Sequence, residues 1–264
     1  MSTKLINRTL SLLELLAAQP QGMALTDIAQ QLAMPKSATH RLLTDLAEHE
    51  YIQLDEDTKY YRLTLKLTQL GFQRLAVDNI FQVAQPLLNE LAQISGELVR
   101  LSLIDSSRLI FVAKAQGARD ALRIDTDMGN EAQLTFSASG LAWLSTLTDD
   151  EALGIVQQQQ KRFQQRGDKV SPFHVELFYQ QLAEVRDQQH ARFQNSMGLG
   201  TAAMAAPVLP INNRQAVGVI SIAGPSVRLT EKQMDNLLPD LLKITDILSS
   251  LSVGISFPKN YQVT

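Results

Sequence analysis

The chain has 264 residues, a formal net charge of −3 and no cysteine. Its length fits about two domains, and 45% apolar with 19% charged residues is the balance of a folded chain rather than a disordered one. The missing thiols exclude disulfides, thiolate nucleophiles, iron–sulfur clusters and cysteine-type zinc sites.

No apolar run reaches the roughly 18 residues of a membrane span, and Met1–Leu16 lacks the unbroken apolar core of a signal peptide. These features predict a cytoplasmic protein with no membrane partner. Three stretches then follow in chain order. In the first, Asn7–Ala18 places Leu10, Leu13, Leu16 and Ala17 on one helical stripe, broken by Pro20 and Gly22. Thr26 reads as the N-cap of a second helix with Ile28, Ala29 and Leu32 inward. A third helix starts at Pro35 or Lys36 and turns Ala38, Leu42, Leu43 and Leu46 inward. Tyr51–Leu54 and Tyr60–Leu63 read as two strands around the polar turn Asp55–Thr58.

The second stretch, Phe72–Ser95, predicts one or two connecting helices, with a break at Asp78–Asn79 and a kink or new start at Pro86. The third mixes strands and helices. Leu98–Ile104 alternates, with Val99, Leu101 and Leu103 on one face and Arg100 and Ser102 on the other. After a turn at Asp105–Ser107, strands are expected at Leu109–Ala113 and Ala121–Asp125, then a turn at Met128–Asn130. Helices are expected over Ser139–Leu147, Asp149–Gln160 and Glu176–Gln189. Ala202–Val208 and Ala216–Ala223 flank Asn212-Asn213-Arg214 and should pair as a hairpin, and Thr230 with Gln233 forms a capping box for the last helix. The irregular order argues α+β.

Helices followed by a two-stranded hairpin between Asn7 and Leu63 form a winged helix-turn-helix pattern. A helix that reads DNA must bury its inner face and leave the outer one free for the major groove. Lys36, Ser37, Thr39, His40 and Arg41 offer hydroxyl, imidazole and guanidinium groups suited to base edges and phosphates, and Lys59 and Tyr60 sit at the wing tip. The first 70 residues carry seven basic against eight acidic groups, so a basic footprint requires the cations to gather on one face.

The segment Leu25–Leu43, with Pro35-Lys36-Ser37 and His40-Arg41-Leu42-Leu43, resembles the N-terminal domain of IclR-type bacterial transcription regulators. Arg8 falls where that family carries an arginine, and Tyr61-Arg62-Leu63 and Leu70-Gly71 match the end and exit of its wing. Gly140, Ala205-Ala206-Pro207-Val208 and Ile220–Pro225, followed by Arg228-Leu229-Thr230, carry the likeness through the C-terminal half. The resemblance implies a winged helix-turn-helix domain (1–71), a linker helix (72–88) and a GAF-like α+β effector-binding and oligomerisation domain (89–264). It implies binding to a double-stranded DNA operator through Arg8, Thr26, Lys36, Ser37, Thr39, His40, Arg41, Lys59 and Tyr60. It also implies a small-molecule effector, such as an organic or sugar acid, against Ala138, Ser139, Gly140, Ala203, Ser221 and Ala223; should the pocket lie elsewhere, Arg100 and Ser102 on the polar face of their strand are the next candidates.

Leu141, Ala202-Ala203 and Ala223 replace a lysine, an Arg-Cys pair and a second serine common in the family, and Phe193-Gln194-Asn195-Ser196 replaces an acidic cluster. A less polar pocket and a ligand with a larger apolar part follow. Homodimers or homotetramers are expected, with Leu5, Leu12 and Leu15 and the connector Phe72–Val83 as dimer surfaces.

No enzyme, cofactor or metal is expected. Ser137-Ala138-Ser139-Gly140 lacks the first glycine of a nucleophile elbow, and Gly198–Ala203 reads better as a strand-edge turn than as a dinucleotide loop. His40, His49, His174 and His190 lack metal-ligand spacing and read as solvated, and Trp143 reads as a core or interface anchor. The alternative is a metabolite-binding module whose helix-turn-helix makes protein contacts only.

Overall fold

A computed structural model describes residues 2–76, 80–119, 122–126, 128–168, 172–194, 200–210 and 215–251. The expected break at Asp78–Asn79, the turn Asn212–Arg214 and the pair Asn195-Ser196 lie outside these residues. The chain divides into two compact units, Met1–Val77 and Asp78–Thr264.

The first unit runs α1 (Ser2–Ala17), β1 (Met23–Ala24), α2 (Leu25–Gln31), α3 (Lys36–Glu48), β2 (Ile52–Leu54), β3 (Tyr60–Leu63) and α4 (Lys66–Ala76). Its three-stranded antiparallel sheet has the order β1-β3-β2. The short β1 was not anticipated. It lies beside β3 because Gly22 takes a φ of 83°, and a Cβ there would stand 2.7 Å from Tyr61 O. Leu12, Leu16, Ile28, Leu42, Leu43, Leu46 and Ile52 fill the core, and each fully buried leucine contributes about 1.5–3 kcal/mol.

Three expectations are corrected here. The inner stripe of α1 runs through Leu12 and Leu16, while Leu10 is exposed. Thr26 does not cap α2, whose N-cap is Ala24, and its hydroxyl bonds Asp27 Oδ1 instead. Thr39 lies on the inner face of α3, fully buried on the same stripe as Leu42, Leu43 and Leu46. Its hydroxyl is satisfied one turn back, at Pro35 O (3.1 Å), so burial leaves no polar group unmet.

The second unit contains α5 (Ile80–Ser95), β4 (Leu98–Asp105), β5 (Arg108–Gln116), α6 (Ala138–Leu144), α7 (Asp149–Arg166), α8 (Val175–Gln188), β6 (Ala191–Gln194), β7 (Thr201–Val208), β8 (Gly218–Pro225) and α9 (Glu231–Leu251). Five antiparallel strands form a sheet of order β5-β4-β8-β7-β6. Leu88 and Leu91 of α5 and Leu237, Leu241 and Ile244 of α9 join the core on the face carrying Val99, Leu101 and Ile222. Leu141 and Trp143 of α6, Val156 of α7 and Phe178 and Leu182 of α8 join the core on the opposite face, with Ala203, Ala205, Val219 and Ala223.

Pro86 lies inside α5. The expected strand Ala121–Asp125 does not form among the described residues 122–126. Side chains of β5 take its carbonyls instead: Gln116 donates to Ile124 O (2.8 Å) and Lys114 to Thr126 O (2.9 Å). α7 extends past Gln160 until Gly167 closes it in the left-handed conformation. The edge strand β6 was also not anticipated.

Candidate functional site

In the first unit, α3 presents Lys36, Ser37, His40 and Arg41 to solvent along its N-terminal half. Among the described residues no ion pair engages Lys36 or Arg41. The cations of the wing are engaged, Lys59 with Glu56 (2.8 Å) and Arg62 with Asp55 (2.7 Å), and Lys66 at the start of α4 pairs with Glu50 (3.7 Å). Asp55 is held below the usual carboxylate range, first by the Thr58 amide. The wing thus neutralises two of its own acids, and Lys36 and Arg41 are left without ion pairs on the N-terminal half of α3. Arg8 is half-buried on α1, and Lys59 and Tyr60 are exposed at the start of β3. Thr39 and its neighbours thus divide by depth, with Thr39 as packing and the rest as surface.

In the second unit, the face of the sheet beneath α6 gathers most of the residues expected to hold an effector. Register sets the arrangement. Ser221 stands directly opposite Arg100 on one side and Ala205 on the other, and Ala203 stands opposite Ala223. Directly opposed side chains share a face with Cβ atoms about 5 Å apart. A bulge between Leu101 and Ser102 shifts β5, so that both Lys114 and Phe111 face this side. The Arg100 guanidinium then lies 3.9 Å from the centroid of the Phe111 ring. One of its terminal nitrogens donates to Thr126 Oγ1 (3.2 Å). Phe111 and Thr126 were not singled out in the sequence, because the bulge that aims Phe111 has no sequence signal of its own.

Arg100 is 5% exposed, Ser102 0% and Ser221 1%. Arg100 Nε and both hydroxyl oxygens have no hydrogen-bond partner. A buried polar group left unmet costs about 1–3 kcal/mol, and more for a charged one. Burial pushes the Arg100 guanidinium down to about 10, so it stays charged at neutral pH.

At the start of α6, Ser137 caps the helix, and its hydroxyl accepts from the Gly140 amide (3.0 Å). That leaves Ala138 and Ser139 as the first-turn amides without an intrahelical partner. Gly140 is needed for a close approach, since a Cβ there would fall 2.1 Å from Leu134 O. Trp143 is buried in the core under this face.

His190 departs from its expected solvated state. It is 5% exposed, with Nδ1 2.8 Å from Gln188 O and Nε2 accepting from Arg192 Nε (3.0 Å). No cluster of metal-ligating residues occurs among the described residues, and none of the described helices is long and apolar enough to cross a membrane. A cavity of about 750 Å³ opens where α5 ends and α9 begins, lined in part by Gln93, Glu97, Gln116, Arg119 and Arg228. Two of its charges are joined to each other, since Arg228 forks onto Glu97 at 2.6 and 2.9 Å.

Comparison with known proteins places both units. The IclR helix-turn-helix domain matches residues 5–56, and the C-terminal domain of the bacterial transcriptional regulator IclR matches residues 72–250. The chain is 26% identical over 234 residues to the acetate operon repressor of Salmonella typhimurium, covering 88% of this chain and 84% of that one. An IclR regulator from Alicyclobacillus acidocaldarius superposes with a TM-score of 0.75 at 21% identity, covering 94% of this chain and 98% of that one. An IclR homologue from Microbacterium hydrocarbonoxydans, solved with 4-hydroxybenzoate, superposes at 0.71 and 17% identity, covering 92% and 98%. The chain belongs to the IclR family of transcriptional regulators, DNA-binding proteins with a C-terminal effector-binding domain.

Proposed function

We propose that this protein acts in the cytoplasm as a homodimer or homotetramer that represses transcription from a specific operator and responds to a small organic acid. α3 enters the major groove, with Arg41 reading a base and Lys36 and Ser37 holding phosphates. His40 lies beside them, and Arg8, Lys59 and Tyr60 reach flanking backbone. The observation that carries this reading is the exposure of Lys36 and Arg41 without ion-pair partners on a helix whose inner face is fully packed. The named repressor among its relatives supports the sign of the response.

The effector occupies the sheet face beneath α6, against Ala203, Ser221 and Ala223 and the first turn of α6 at Ala138, Ser139 and Gly140. The unpartnered Ser221 hydroxyl supports this placement. The Microbacterium neighbour holds an aromatic acid on the same fold.

Selection of binding sites from a random duplex library, followed by fluorescence anisotropy at two salt concentrations, tests the DNA assignment. Arg41→Ala should lose about 1–3 kcal/mol of specific binding. Lys36→Ala should weaken all sequences alike and reduce the salt slope by about one. If both variants bind the selected site as the wild type does, α3 is not the reading helix.

A further inference from the structure

The sheet face beneath α6 contains a buried charge that no carboxylate answers among the described residues. Arg100 is buried on β4 with its guanidinium against Phe111 and its Nε unpartnered. Ser221, directly opposite on β8, and Ser102, two residues along the same face of β4, bring two further buried hydroxyls without partners. Among the described residues, three acids of this unit are committed elsewhere. Asp125 pairs with Lys114 (2.5 Å), Glu131 with Arg162 (2.7 Å) and Glu97 with Arg228 (2.6 Å). One fixed positive charge and three unmet polar atoms therefore share one patch of the sheet. Buried guanidinium groups are ordinarily paired, and a planar fork of N–H donors matches a carboxylate.

We propose that Arg100 is the carboxylate anchor of the effector site, assisted by the Ser102 and Ser221 hydroxyls. The inference rests on the reading that the effector occupies this face. It also names the ligand class, an organic monocarboxylate with an apolar body. A second carboxylate would meet no free cation, because Lys114 is held by Asp125 and Thr126. The rest of the face is apolar: Phe111, Ala203, Ala205, Val219 and Ala223. A flat or compact hydrocarbon body fits those neighbours better than a sugar acid, whose hydroxyls would be left unmet.

Titration calorimetry and thermal shift on the full chain test this with benzoate and hexanoate as monocarboxylates, benzamide as the uncharged counterpart of benzoate, succinate as a dianion and inorganic phosphate. At least one monocarboxylate should bind and raise the melting temperature. Benzamide, succinate and phosphate should bind at least ~10-fold more weakly. Arg100→Met should weaken carboxylate binding by at least ~20-fold, and Arg100→Lys, which keeps the charge and loses the fork, by roughly 10-fold.

Without ligand, Arg100→Met should melt no lower than the wild type, because it removes an unpaired buried charge. A purely structural arginine would give the opposite result. Failure of every monocarboxylate to bind, equal binding of benzamide or phosphate, or full carboxylate affinity in a folded Arg100→Met overturns the proposal. Ala223→Val separates it from the reading beneath it. If that variant blocks binding while Arg100→Met does not, the effector face stands and the anchor falls. If neither affects binding, both fall.

Discussion

Gly140 illustrates how a single missing side chain seats the start of a helix. Its amide closes the cap at Ser137, and its α-carbon lies against the Leu134 backbone so tightly that a Cβ would fall 2.1 Å from Leu134 O. The obstacle is backbone, which cannot rotate away. Gly140→Ala should therefore destabilise the second unit by about 1–3 kcal/mol or more. In a urea titration the second unit's transition should move to lower denaturant while that of Met1–Val77 stays in place. An unmoved midpoint would show that α6 can shift at no cost. Thr39 makes a related point on α3. Polarity alone places it among the DNA contacts, yet its hydroxyl can bond the carbonyl one turn back, which lets a threonine serve as a core residue.

At the scale of elements, the start of α7 is the clearest case of local chemistry fixing a boundary. Thr148 and Glu151 form a complete capping box: the Thr148 hydroxyl accepts from the Glu151 amide, and the Glu151 carboxylate accepts from the Thr148 amide (3.0 Å). Thr148→Ala should cost about 1 kcal/mol. The Thr148 amide, and after it the Thr148 hydroxyl (2.8 Å), hold the Glu151 carboxyl below its ordinary value, and Thr148→Ala removes only the hydroxyl. A depressed folded pKa contributes stability that is present above the unfolded value and lost as pH falls through the folded one. The melting difference between Thr148→Ala and wild type should accordingly be full at pH 7 and shrink below about pH 4. A difference that does not change with pH would mean that the Thr148 hydroxyl gives the carboxylate nothing.

Elements with such signals were legible in the sequence. α9 opens at Thr230 with Gln233 N donating to the Thr230 hydroxyl, as the spacing implied. β4 shows its two faces by strict alternation, which already set Arg100 and Ser102 apart from Val99 and Leu101. What was not legible depended on distant partners. β1 exists only because β3 lies beside it. The segment 122–126 loses its strand to side chains of β5. Phe111 reaches Arg100 through a bulge that only the paired strands reveal.

The whole molecule raises the question of how a short reading helix achieves operator specificity. One winged unit buries too little DNA surface for a tight site at physiological salt, whereas two copies reading a near-palindrome bury enough. The surface that could join them differs from the one expected from sequence. Leu12 is fully buried and Leu15 is partly buried in the unit's own core, so neither is free to serve. Ile6 and Leu10, one turn apart on α1, are each 53% exposed, and Leu5 is 57% exposed. These three apolar side chains form an exposed patch on α1 that a second copy would cover. We therefore expect α1 to pair with α1 of another chain. Ile6→Ser combined with Leu10→Ser should convert the dimer to monomer at micromolar concentration by sedimentation analysis, and the monomer should keep the native circular-dichroism spectrum, because neither residue packs inside the unit. Uncoupling the two half-sites removes the gain from linked binding, so affinity for a two-fold symmetric operator should fall by about 100-fold or more. Affinity for a single half-site should stay the same. A double variant that remains dimeric and binds the full operator as tightly as wild type would place the interface elsewhere, with the exposed Leu70 and Phe72 of α4 the next surface to test.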